Sequence, residues 1–206
     1  MNNRLIEAAG RGQTDTVLAL IREGADINAT NASGRTAILA AVHGRHAGTV
    51  RALIELGADV NKLDQRRNNP LLHAGAEGLL DMVRLLLEAG ADTRRTNRFG
   101  GTALIPAAER GHIAVVEELL THSDVDVNHI NNLGWTALLE AIILSDGGST
   151  HQRIVKLLLD HGADPRIADK DGVTPLEHAA KRRYREIEKL LAEAIAQAGE
   201  TERRSQ

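Results

Sequence analysis

His43 and His46 are spaced to share one side of a helix, which makes them the pair in this sequence most able to hold a metal ion. They stand at a predicted helix end with no carboxylate or further ligand nearby in sequence, so a surface or hydrogen-bonding role is the expectation. Asp124-Val125-Asp126-Val127-Asn128 imitates the opening of a calcium loop, but its central Gly and closing Glu are missing. Gly147-Gly148-Ser149-Thr150 lacks the lysine that a phosphate-binding loop needs. The absence of cysteine excludes disulfides, thiolate metal sites and thiol nucleophiles. No nucleophile elbow, zinc-helix motif or paired-glycine dinucleotide turn is present. Glu7 and Glu140 recur at the same place in different segments, which reads as repeat decoration and not as an acid/base pair. The expectation is therefore no enzyme activity, no metal and no cofactor.

The elements that carry these residues are short and recurrent. In residues 97–130 a turn at Asn97–Gly101 precedes an apolar-periodic run, Thr102–Arg110. Gly111-His112 breaks that run, and a second apolar run covers Ile113–Leu120. The same order recurs from Asn31, Asp64, Asn131 and Asp169, so successive starts lie 33, 33, 34 and 38 residues apart. A fixed period of this size marks a repeat array. A partial repeat lacking its turn fills residues 1–30, and a more charged one fills 169–198; both read as caps. Residues 199–206 read as a polar, disordered tail.

Local signals place the elements within each repeat. Gly34 supplies a turn at positive φ, and Thr36 and Asn69 are helix N-caps, with Pro70 at a first helical position. Asp59 and Asn61 favour a turn by bonding nearby backbone. Arg67 stands where other turns have Gly, which predicts a less regular turn. Pro106 inside a first helix predicts a kink or a displaced start. About five extra residues within Leu144–Gln152 predict a loop or one added helical turn. Ala8, Ala41, Ala74, Ala107, Ala141 and Ala179 recur where helices must approach closely. Val17, Val50, Val83, Val116 and Val155 recur on the second helices, with Glu188 in that place at the end.

Four openings, GRTAILAAV, GGTALIPAAERGH, GWTALLEAI and DGVTPLEHAA, together with the closings GADIN, GADVN, GADT and GADP, resemble ankyrin repeats over roughly residues 4–192. The resemblance implies an all-α repeat solenoid, with stacked helix-turn-helix repeats and β-hairpin finger loops. It implies a single domain over residues 1–198, with repeats at about 1–30, 31–63, 64–96, 97–130, 131–168 and 169–198. Fingers and first helices would form a concave surface that binds another protein. Carried onto this sequence, the contact positions include Arg35, Arg66, Arg98, Phe99, Leu133 and Trp135 on fingers, and Glu109 and Arg110 at a first-helix end.

Phe99 and Trp135 are two of only three aromatic residues, and both fall on finger positions. Aromatic anchors beside arginine are the usual composition of binding hot spots; the alternative is that the two rings pack on each other. Arg66, Arg67, Arg94, Arg95 and Arg98 lie in or beside two consecutive fingers and suit an acidic patch on the partner. A net charge of −3 and the shortage of stacking rings argue against nucleic acid. No apolar run approaches a membrane span and no signal-peptide core follows Met1, so a cytoplasmic monomer is expected, or a periplasmic or secreted one if a signal has been removed. The alternatives are a structural scaffold, a designed or reconstructed repeat protein without a selected partner, or binding through the 144–152 insertion. Arg67, Pro106 and that insertion argue against a consensus design.

Overall fold

Thr36, Asn69, Thr136 and Thr174 each sit in extended backbone and accept a hydrogen bond from the amide three residues on. That bond satisfies one of the amides every helix start leaves unpaired. Four helices accordingly begin on the next residue: α3 (Ala37–His43), α5 (Pro70–Ala76), α9 (Ala137–Ile143) and α11 (Pro175–Arg182). The computed structural model describes residues 1–204. Each first helix is followed by a second one, across a tight break everywhere but after α9. The remaining elements are α1 (Asn2–Gly10), α2 (Thr14–Arg22), α4 (Ala47–Glu55), α6 (Leu80–Glu88), α7 (Leu104–Glu109), α8 (Ile113–His122), α10 (Ser149–Asp160) and α12 (Arg185–Arg204). No strand occurs among the described residues. This is an all-α repeat solenoid.

The chain forms two compact units, Met1–Arg98 and Phe99–Gln206. In the first, α1, α3 and α5 pack side by side as one layer, and α2, α4 and α6 as a second. In the second, α7, α9 and α11 make one layer, and α8, α10 and α12 the other. The recurrent alanines are at most 4% exposed and the recurrent valines are fully buried, so small residues admit the close helix approach and branched ones fill it. Glu188 is half-buried, and the adjacent Ile187 is the residue that enters the core.

Pro106 displaces a helix start. Helix α7 begins at Leu104, one residue later than the register of its counterparts, and Ala103 makes no side-chain cap. In the other first helices the fourth residue after the cap donates to the cap carbonyl, as Glu140 does to Thr136 and His73 to Asn69, both at 3.0 Å. Pro106 has no N–H to give, and the shift moves it into the first turn, where amides are unpaired anyway. The buried Thr102 Oγ1 is left without a hydrogen bond.

Three expectations need correction. The turn at Arg67 is as regular as the others: Arg67 N donates to Asp64 O at 2.9 Å, as Gly34 N does to Asn31 O. Arg67 instead adopts the left-handed conformation itself, with φ of 56°. Asp59 Oδ1 accepts from Asn61 N at 2.8 Å as expected, but the Asn61 side chain does not bond its own turn. Its Oδ1 accepts from Asp92 N at 2.7 Å and its Nδ2 donates to Gly90 O at 3.3 Å, which clamps the following repeat. Asn28 holds Asp59 N, and Asn128 holds Asp164 N, both at 2.8 Å. Finally, residues 199–204 are no loose tail but continue α12; residues 205–206 lie outside the described residues.

The insertion is both a loop and a helical turn. Residues 144–148 cross over, and α10 then starts at Ser149, giving it 12 residues against the 9 of α4 and α6. Tyr184 Oη donates to Ser145 O at 2.6 Å, Gln152 Nε2 to Gly147 O at 2.8 Å, and His151 Nε2 lies 2.9 Å from Glu109 O. The insertion is thus fastened to its own unit on several sides.

Candidate interaction surface

Four of the fingers are built by one device. The first residue of each, Asn31, Asp64, Asn131 or Asp169, accepts through Oδ1 from the amides two and four residues on, at 2.8–3.1 Å. Its own amide donates to the carbonyl four residues on, at 2.8–3.0 Å, closing the neck. These are hydrogen-bonded loops and not strands, because too few residues flank each turn to form a ladder. Neighbouring fingers are also tied to one another. Gln65 N donates to Ser33 O at 3.1 Å in the first unit, and Asn132 N to Phe99 O at 2.9 Å in the second. Lys170 Nζ then donates to Asn132 O.

The sequence-derived contact residues divide between the two units. In the second, Phe99 is 52% and Leu133 50% exposed, and the Asn132–Phe99 bond holds their fingers side by side. Ile130, at the foot of the Leu133 finger, is likewise about half exposed. Trp135 is only half-buried at the finger neck and makes no ring contact among the described residues. Glu109 is half-buried and Arg110 exposed at the end of α7. In the first unit Arg66 is at an exposed finger tip and Arg98 is exposed, whereas Arg35 lies half-buried with its Nε inaccessible and unbonded. Arg94 and Arg95 are less available than their sequence suggests, since both pair with Asp92, at 3.6 and 3.3 Å.

Two features of this layer escape local reading. Glu140 projects from α9 toward the finger and accepts from Asn131 Nδ2 at 2.8 Å. Burial pushes its carboxyl up to about 7, the Glu109 carboxylate adds to the rise, and the Asn131 amide opposes it. In the corresponding place His178 Nε2 meets Asp169 Oδ2 at 2.7 Å, and that histidine holds the Asp169 carboxyl below the usual carboxylate range. Their signal was present as a polar residue four places after each cap. His43 and His46 do not share a helical side: α3 ends at His43, while His46 stands just before α4 and its side chain makes no capping bond. His43 stacks on His73 with ring centroids 3.7 Å apart. Burial, then the neighbouring His73 and Arg35, lower its pKa to about 4, so it is neutral at physiological pH.

No helix among the described residues is long and apolar enough to cross a membrane, and no group of His, Asp and Glu among them could hold a metal. The arrangement offers rigid polar loops with a few apolar side chains, which suits recognition.

Known proteins share this arrangement. The family described as ankyrin repeats (3 copies) matches residues 5–97 and 90–169. The putative ankyrin repeat protein YahD of Escherichia coli K12 is 54% identical over 88 residues, 43% of this chain and 44% of that protein. The matched part thus spans less than half of that curated relative. An ankyrin repeat domain from Acinetobacter baumannii AYE superposes with a TM-score of 0.90 at 51% identity, covering 93% of this chain and 97% of that one. The ankyrin repeat protein EF0377 gives 0.89 at 38% identity, covering 93% and 98%. With the family matched over most of its length and the same helix pairs, caps and fingers in its structure, this chain belongs to the ankyrin repeat family.

Proposed function

We propose that this chain is a non-enzymatic module that binds another protein through its fingers and the adjoining ends of its first helices, and that it does so as a monomer. The observation that carries the reading is the pairing of Phe99 and Leu133. Both are about half exposed on neighbouring fingers locked by the Asn132–Phe99 bond. Large apolar side chains held out on a polar, cross-braced loop are unfavourable in a free protein and become favourable when covered. Because the loops are already braced, covering them costs little ordering entropy. Half-buried Trp135 at the neck of the Leu133 finger, and Glu109 and Arg110 at the end of α7, are further contact positions. Arg66 and Arg98 supply positive charge from the first unit, and Arg35 adds to it from a half-buried position, which suits an acidic partner surface.

The test is a pull-down from the source organism, comparing the intact protein with a Phe99→Ala/Leu133→Ala variant, followed by titration of any captured partner. Hot-spot anchors are worth about 2 kcal/mol each, so the double variant is expected to lose the partner by well over tenfold. Both side chains are surface groups, and the circular dichroism spectrum should be unchanged. Equal capture by both proteins would refute the finger surface as the site.

A further inference from the structure

Six breaks join a first helix to the second helix of its repeat, and each contains one residue in the left-handed conformation. In four of them that residue is Gly12, Gly78, Gly111 or Gly147, with φ between 69° and 80°. In the other two it is Arg45 and Arg183, both with φ of 61°. An L side chain in this conformation carries a cost that glycine escapes. Arg45 has a use for its side chain: Nη2 donates to Glu77 Oε2 of the following repeat at 3.5 Å. Arg183 stands in the last repeat, where no following repeat offers a carboxylate. It is exposed, and its guanidinium makes no hydrogen bond or ion pair among the described residues. Strain that nothing inside the protein offsets points to a contact made outside it.

The surroundings of Arg183 are fixed. Exposure alternates along the turn: Lys181, Arg183 and Arg185 are exposed, while Arg182 and Tyr184 between them are half-buried. Arg182 Nη2 donates to Ile143 O at 3.2 Å, and Tyr184 Oη to Ser145 O at 2.6 Å. These two bonds hold the turn beside Leu144, whose side chain is among the large apolar ones left exposed. None of the three exposed cations has an ion partner among the described residues. Asp146 and Glu186, both exposed, stand in the same two segments. Cations interrupted by carboxylates and an apolar side chain do not suit a polyphosphate backbone, which favours an unbroken run of positive charge. They match separate carboxylates and one apolar group on a protein segment.

We propose that residues 181–185 and Leu144 form a second interaction surface, which binds an acidic segment of a partner protein. A carboxylate of that segment pairs with the Arg183 guanidinium, as Glu77 pairs with Arg45 inside the array. Lys181 and Arg185 extend the positive charge on either side, and an apolar side chain of the segment covers Leu144. Arg182 and Tyr184 make no contact with the segment; they position the turn. The surface lies wholly in the second unit, at the opposite end of α11 from its finger. It shares no residue with the Phe99 and Leu133 site.

The test is an NMR titration with acetyl-Glu-Glu-Leu-Glu-Glu amide, and separately with acetyl-Gln-Gln-Leu-Gln-Gln amide, followed at the backbone amides of Leu144, Arg183 and Arg185. Saturable shifts at these amides are expected with the glutamate peptide, at several-fold higher affinity than with the glutamine peptide, and weakened by added salt. Arg183→Gly removes the guanidinium and relieves the strain together. It should lower the affinity several-fold while raising the thermal midpoint by about 2–4 °C. Leu144→Ser should also weaken the glutamate peptide. Arg45→Gly, which removes the matching arginine elsewhere, should leave the response at these amides intact. So should Phe99→Ala/Leu133→Ala, so that this surface and the finger surface are judged separately. Equal binding of the two peptides, no saturable shift at these amides, or full affinity in Arg183→Gly would overturn the proposal. So would an unchanged or lower midpoint in that variant, or tighter binding of a single-stranded oligonucleotide at the same amides.

Discussion

Replacing Pro106 by Ala should stabilise the protein, although it removes the residue that most restricts the unfolded chain. At present Thr102 O lacks the bond that Thr36 O, Asn69 O, Thr136 O and Thr174 O each receive at 3.0 Å from the fourth residue on. Thr102 is only 2% exposed and its Oγ1 is unbonded, so the cap that Thr36 and Thr136 provide is lost as well. An alanine amide at 106 restores the backbone bond, worth about 1 kcal/mol net. It also lets α7 begin at Ala103 with Thr102 as cap, which contributes about 1 kcal/mol more. Against this, the unfolded chain regains freedom that proline denied it, about 0.4–1 kcal/mol. The balance is roughly 1 kcal/mol in favour of the variant, within the spread of those terms. Urea unfolding should show the midpoint moving up with the slope unchanged. Hydrogen exchange gives a second reading: the new amide at 106 should be protected like that of Glu140. A lower midpoint, or an amide at 106 that exchanges as freely as an unstructured one, would refute the account of the displaced helix start.

Two further substitutions probe the fingers. Because burial and Glu109 raise the Glu140 carboxyl from 4.5 to about 7, the folded chain keeps a proton that the unfolded chain has already released in that interval. Its contribution is therefore fully present below pH 4.5 and is lost as the pH rises through about 7. Glu140→Gln keeps an acceptor for Asn131 without the charge. It should match the parent in acid and exceed it above neutrality, by on the order of 1–3 kcal/mol, in unfolding curves taken across pH; a difference independent of pH would contradict the assignment. Arg67→Gly should raise the thermal midpoint, because a left-handed non-glycine residue costs roughly 1–2 kcal/mol and the equivalent Gly34 and Gly134 already hold φ of 78° and 86°. An unchanged or lower midpoint would mean that the arginine side chain contributes something the strain conceals.

The sequence by itself determined the features that arise within a few residues of one another. Thr36, Asn69 and Pro70 announce helix starts because capping is a contact between neighbours three apart. The alanine and valine positions announce buried faces because the helical period is local. Pro106 announced trouble because its missing amide is a property of that residue alone. Even the fingers were legible as turns, and with them the exposed Phe99 and Leu133.

Only the tertiary structure decided what each repeat does to the next. Asn61 and Asn128 look like turn residues, but their amides clamp backbone 29–36 positions further on, and nothing local states where that backbone lies. Tyr184 looks like an interrupted break, and instead it fastens the insertion through Ser145, 39 residues earlier. Glu140 looked like decoration until its burial beside Glu109 was known. Ala40 shows the converse: an unremarkable residue in sequence, it cannot give Asn31 the side-chain bond that Glu140 gives Asn131. Capping and periodicity are settled by bonds along the chain, whereas desolvation and unmet hydrogen bonds depend on which distant atoms are brought near and which are missing.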